Sequence, residues 1–196
     1  MSTRRPPHGT GAMRIGMHVP YRSLDAAGES GAVEVPDSER LMHLQFRRYA
    51  GCPICNRHLR FFVDRHDEIR RAGIAEVAVF HSSHEVLTPL ALGFPFPLIP
   101  DPGKHLYREF GVEQSWRAIT HPKAWLAATA GWLKQPPSLP ADDGSGHLGL
   151  PADFLIAPDA RILAVGYGAH ADDHWSVDDV LRLAAEAGSA GNGGEH

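Results

Sequence analysis

Between Leu41 and Gly73 the apolar positions change period. Over the first residues they alternate, Leu44 and Phe46 against Gln45 and Arg47, which is the two-residue repeat of a strand. The pattern breaks at Ala50-Gly51. It resumes at three- and four-residue spacing at Cys55, Leu59, Phe62, His66 and Ile69, which predicts one amphipathic helix stopped by Gly73. Pro53 suits the first helical turn, where its missing N–H has no intrahelical partner to lose. The apolar run Ile74 to Phe80 then predicts a buried strand. A strand–helix–strand succession of this length is a βαβ unit, whose crossover makes the two strands parallel.

The rest of the chain extends this unit. Residues 1–13 are polar and rich in Gly and Pro, and are expected to form a disordered tail; Ile15 to Val35 predict a short hairpin region. Ser82 followed by Glu85 has the spacing of a capping box for a short helix to about Ala91. The neighbouring His81, His84 and Glu85 are too few to make a metal site. A short strand at 96–99 and a helix from Lys104 to Gly111 follow. Residues 115–149 are irregular, with a helical segment Pro122 to Leu133 whose Trp125 and Trp132 share a face. Such a face is core unless it proves exposed, when it marks a dimer face or a lid. Two apolar runs flanking Pro158-Asp159-Ala160 predict a β-hairpin at 153–165. A helix capped by Ser176, with Asp179 three residues on, closes the chain at Ala187; residues 188–196 are expected to be a flexible tail.

Composition narrows the function without naming it. The 196 residues suit one domain, expected at 14–187, and 43% hydrophobic with 21% charged residues is ordinary for a soluble protein. A net charge of −4 with no basic stripe argues against nucleic acid as partner. The longest uncharged stretch, Val86 to Pro100, holds four prolines and predicts no membrane helix. Arg4 and Arg5 are not followed by an apolar run, so no secretory signal is read and the cytoplasm is the expected location.

The chemistry sits in Cys52-Pro53-Ile54-Cys55, the only two cysteines of the chain. At the start of a helix the free amides stabilise a thiolate, and Cys-x-x-Cys thiols there lie below the free value of about 8.5. Cys52 receives most of that field and is the expected nucleophile. Cys55, one turn inside, is the expected resolving thiol. Arg48, Arg57 and His58 are candidates to add positive charge. Three other readings stand beside this one: a zinc site completed by histidines, a structural disulfide across a very short loop, or two inert buried thiols. In a reducing compartment a lone pair at this spacing is more often catalytic or metal-binding than structural.

Taken together, the pieces resemble the peroxiredoxin-like (AhpC/TSA-type) branch of the thioredoxin fold. The resemblance is carried by strand, Gly51-Cys52-Pro53-Ile54-Cys55, helix and strand. It is carried further by FPLIPDPGKHLYREFGV at 96–112 and by LPADFLIAPDARIL at 150–163. It implies an α/β thioredoxin-like fold: a central mixed sheet with helices on both faces, an N-terminal hairpin extension and a helical insertion before the closing hairpin. It also puts Pro151 where thioredoxin-like proteins hold a cis-proline facing the cysteines. The implied activity is thiol-dependent reduction of peroxides through a dithiol/disulfide cycle. Alternatives are reduction of protein or small-molecule disulfides, or a non-catalytic binding module. No cofactor or metal is implied. The implied partners are a peroxide or disulfide substrate and a thiol reductant, thioredoxin-like or of low molecular weight, with a homodimer as an open option. Where typical members place Pro and Thr or Ser, seven and three residues before the reactive cysteine, this chain has Gln45 and Tyr49. Tyr49 is then the candidate hydroxyl, and Arg117 the nearest candidate for the family's arginine.

Overall fold

The computed structural model describes residues 11–50, 53–112, 151–168 and 173–192, with backbone alone at 53–56 and 190–192. The chain begins with a two-stranded antiparallel hairpin, β1 (Arg22–Asp25) and β2 (Ala32–Val35). The central sheet has five strands. β3 (Leu41–Arg47) and β4 (Ile74–Phe80) run parallel, joined by the crossover helices α1 (Pro53–Asp64) and α2 (His66–Arg71). After α3 (His84–Ala91), β5 (Leu98–Pro100) pairs parallel to β4; α4 (His105–Glu109) follows. The closing strands β6 (Ala152–Ile156) and β7 (Ile162–Tyr167) are antiparallel, and α5 (Val177–Asn192) ends the described chain. The spatial order is β5-β4-β3-β6-β7, with β6 antiparallel to β3.

The sheet separates two apolar clusters, so its central strands are buried on both faces. Met42, Leu44, Phe46, Val77, Val79 and Phe154 pack against the β1–β2 hairpin and α4 on one side. Ala78, Phe80 and Leu155 pack against Leu59, Phe62 and Ile69 of α1 and α2, Leu87 of α3 and Val180 of α5 on the other. Among the described residues no helix is long and apolar enough to cross a membrane.

Several boundaries differ from the sequence reading, each for a local reason. The predicted single helix to Gly73 is two helices, because Arg65 leaves helical geometry at φ −110, ψ 17. The cap of α3 is Ser83, whose side chain accepts from Val86 N–H, and not Ser82; Ser82 is buried and accepts Ala50 N–H at 3.0 Å. Helix α4 starts at His105 because Lys104 is left-handed, at φ 52, and because Asp101 supplies the cap from outside the helix. Its carboxylate accepts the amides of His105, Leu106 and Tyr107 at 2.8, 2.8 and 3.2 Å. Gly111, at φ +70, ends that segment as expected, and a Cβ there would sit 2.6 Å from Ala12 Cα. Ser176 and Asp179 form the expected reciprocal cap, but α5 runs on past Ala187 to Asn192. Residues 1–10, the whole 115–149 insertion with its tryptophans, and the last four residues of the tail fall outside the described residues.

Candidate functional site

The C-terminal edge of β3 and β4 is where an open α/β sheet presents its chemistry. β3 ends at Arg47, and Arg48, Tyr49 and Ala50 lead toward the Cys-Pro-Ile-Cys segment. Helix α1 begins at Pro53, as Pro at a first helical position predicts, and Cys55 lies in its first turn. Cys52 and Arg117 lie outside the described residues, as does the Leu150–Pro151 bond. The structure brings Tyr49 and Pro151 to the same edge. Ala152 pairs with Phe46, which puts Pro151 level with the end of β3. Tyr49 is half-buried under the Arg48 guanidinium, 5.7 Å from its ring centre, with the fully buried His81 ring at 6.4 Å. Pro151 is buried too; its carbonyl accepts Gly168 N–H at 2.9 Å. Gly168 is there because nothing larger fits: a Cβ would meet Asp173 O at 2.6 Å and Pro151 Cγ at 2.7 Å. On the opposite face, the Tyr107 hydroxyl reaches the carbonyls of Arg47 and Val79, tying α4 to the ends of β3 and β4.

Beneath α1 the sheet carries a group of residues that alternation alone hides. His43, Gln45 and Arg47 share the helix-covered face of β3 and are fully buried. They close a ring with Glu76 of β4, which pairs directly with His43, and Asp153 of β6, which pairs with Gln45. His43 Nδ1 lies 3.0 Å from both Glu76 oxygens, and its Nε2 lies 3.2 Å from Asp153 Oδ1. Arg47 donates to the same Asp153 oxygen at 2.8 Å and to Gln45 Oε1 at 2.5 and 3.1 Å. The Gln45 amide closes the circuit onto Glu76.

Because both His43 nitrogens face carboxylates, both carry hydrogens. Burial works against that charge, but Glu76 first and then Asp153 outweigh it and hold the imidazole up at about 9. Burial would likewise raise Asp153; the Arg47 charge and the His43 hydrogen bond prevail and keep its carboxyl well below the usual range. Two cations thus meet two carboxylates with no excess charge, the condition under which burial of such groups is tolerated.

Arg47 carries a polar contact from the ring toward the helix. Arg47 approaches His174 Nδ1 at 3.0 Å, and the His174 ring stacks on His58 of α1, centroids 4.3 Å apart at 23°. Burial, then the Arg47 charge, pull His58 down to about 3. It is therefore neutral at ordinary pH, and the expectation that His58 adds positive charge to the cysteines is corrected.

A family model described as AhpC/TSA antioxidant enzyme matches residues 61–170. Among solved structures, the chain is similar to AhpC of Enterococcus faecalis at 17% identity, over 93% of this chain and 97% of that one, with a TM-score of 0.66. It is similar to the peroxidoxin BcpB of Mycobacterium tuberculosis at 19% identity, over 89% and 97%, with a TM-score of 0.62. It is also similar to the reduced 2-Cys peroxiredoxin of Plasmodium vivax at 15% identity, over 91% and 83%, with a TM-score of 0.65. At these identities the likeness establishes the thioredoxin-type fold. No curated protein matches significantly.

Proposed function

The chain belongs to the AhpC/TSA antioxidant enzyme family, and on that footing we propose that it reduces peroxides through Cys52 and Cys55. The Cys52 thiolate attacks the peroxide, its sulfur takes one oxygen to become a sulfenic acid, and the alcohol or water leaves with a proton. The Cys55 thiol then attacks that sulfur; the S–S bond forms as water departs. A thiol reductant returns two electrons and two protons to reopen the disulfide. The observation that carries this reading is the start of α1 at Pro53, directly after Cys52 in the chain and at the C-terminal edge of a parallel strand pair. That geometry gives the first thiol the helix field and makes it the more acidic of the two. Tyr49 is assigned as the hydroxyl beside the reacting sulfur. Pro151, and Arg117 from the insertion, are assigned to the walls of the substrate site. A reducing compartment, the cytoplasm, is the setting such a cycle requires. A homodimer is compatible with it.

The Cys-x-x-Cys spacing and the tyrosine at position 49 also favour a second reading, in which the substrate is a protein or small-molecule disulfide. Mass spectrometry after one equivalent of hydrogen peroxide separates the two. The reduced wild type should lose two hydrogens, Cys55→Ser should gain one oxygen at Cys52, and Cys52→Ser should be unchanged. Consumption of a disulfide but not of peroxide would select the second reading. Faster labelling of Cys55 than of Cys52 by iodoacetamide at neutral pH would reverse the assigned roles.

A further inference from the structure

Strand β4 is paired along its whole length on the β3 side, but only in part on the other. Ala78 N–H donates to Pro97 O at 3.1 Å, and Phe80 O accepts Asp101 N–H at 2.7 Å, so the even-numbered residues of β4 face β5. The two-residue period of a strand points Glu76 N–H and C=O the same way. β5 does not reach them, because its pairing covers only Ala78 to Phe80. One step further back, the parallel ladder would bring the amide of residue 97 to Glu76 O, and Pro97 has no amide hydrogen to give. The ladder stops there, and among the described residues neither main-chain group of Glu76 finds a partner on that side. Glu76 is only 3% exposed, and buried main-chain groups require partners.

Beside this edge lies a cavity of about 580 Å³, a size typical of ligand sites. Ile74 to Val77 and Pro95 to Pro97 line it, with the β2–β3 turn and α2 at its rims. His66 of α2 lines it too; its ring lies 5.9 Å from that of Phe96, and its shielded Nδ1 is also without a partner among the described residues. Of the charged groups at the rims, Arg40 binds Asp37 at 2.7 Å and Arg70 lies 3.8 Å from Asp67. Glu34 holds only the Ser38 hydroxyl, at 3.4 Å, and Glu39 has no ion pair among the described residues. The uncommitted charge is therefore negative.

We propose that this edge docks an extended basic segment of a partner protein, which adds beside β4 as a short strand. An unpaired edge is a template for another chain, and a peptide main chain offers both the N–H and the C=O that Glu76 lacks. A Lys or Arg on that segment meets Glu34 and Glu39 at the mouth. The cavity sits at the N-terminal ends of β3 and β4, whereas the Cys-Pro-Ile-Cys segment follows their C-terminal edge. A partner held here leaves the thiols uncovered, and its docking needs neither cysteine.

The test titrates the full nitrogen-15-labelled chain with acetyl-Thr-Arg-Val-Lys-Thr-amide, whose residues favour an extended backbone. The Glu76 amide proton should move downfield and saturate, with the His66 ring signals following. Replacing the Arg and Lys of the peptide by Glu should weaken binding about tenfold, and Glu34→Gln with Glu39→Gln about fivefold. Methylating the backbone amides of the peptide removes every donor to Glu76 O and should cost about tenfold. Pro97→Ala gives residue 97 an amide hydrogen for Glu76 O, which should close the edge and weaken binding about fivefold. An unmoved Glu76 amide, or equal binding of the acidic peptide or by Pro97→Ala, overturns the proposal. Should Pro97→Ala fail to fold, the methylated peptide decides: equal binding overturns the proposal and lost binding supports it. Sedimentation showing a dimer whose Glu76 amide is already protected from exchange would assign the edge to a second copy of this chain and overturn it too.

Discussion

Raising the pH from 6 to 9.5 should destabilise this protein through one imidazole. His43 is held at about 9 in the fold and has an ordinary value of 6.5 when unfolded. The folded state therefore binds the extra proton, and stability falls as pH rises. The contribution is fully present below about 6.5, is lost progressively above it, and is gone once pH passes about 9. A displacement of that size corresponds to about 3 kcal/mol, taking ~1.4 kcal/mol per unit. His43 is completely buried between two carboxylates, so solvent screening takes little from that figure. The assay is urea unfolding at intervals from pH 6 to 9.5, on protein with both cysteines changed to serine so that thiol ionisation adds nothing. The His43 ring protons, followed by NMR, should titrate near 9. A midpoint flat across the interval, or a His43 resonance that titrates near 6.5, would refute the assignment of an imidazolium held by Glu76 and Asp153.

Three further outcomes follow from the same structure. Asp153→Asn removes the charge that faces both Arg47 and His43, and should cost about 3–5 kcal/mol in urea unfolding at pH 7. Gly168→Ala forces a methyl against Asp173 O and Pro151, and should lower stability by about 1–3 kcal/mol in a thermal melt. Asp101→Ala strips three amides at the start of α4 of their acceptor. It should cost about 1–2 kcal/mol, with faster hydrogen exchange confined to residues 105–107.

Much of the architecture was legible because it is written locally. The change of period at Ala50-Gly51, the proline after Cys52 and the Ser176–Asp179 cap each involve residues within a few positions of one another. The crossover from β3 to β4 and the closing hairpin followed directly from these. The buried ring was not legible, for a physical reason. Alternation assigns Gln45 and Arg47 to a polar face, and only the tertiary structure shows that face lying under α1. Their partners are 31 and 106 residues away, at Glu76 and Asp153, and His43 meets Asp153 across 110. No period or motif joins such positions; strand register does. His174 was missed likewise, since it reaches Arg47 across 127 residues from an irregular segment. One signal was available: a seven-residue strand carrying His, Gln and Arg at alternate positions in the middle of an α/β chain needs partners for all three.

The closed ring also constrains how this sequence can drift. Each of its five side chains satisfies two others, so a change at any one position strands a buried charge or an unpaired amide at its neighbours. Positions 43, 45, 47, 76 and 153 are thus not five independent sites of variation but one, and their effects should be far from additive. A lineage leaving the present state by single steps must cross a deep stability valley, whereas replacement of the whole set by apolar residues of similar volume would be near neutral for folding. Relatives should therefore fall into two groups, those that keep the entire circuit and those that keep none of it.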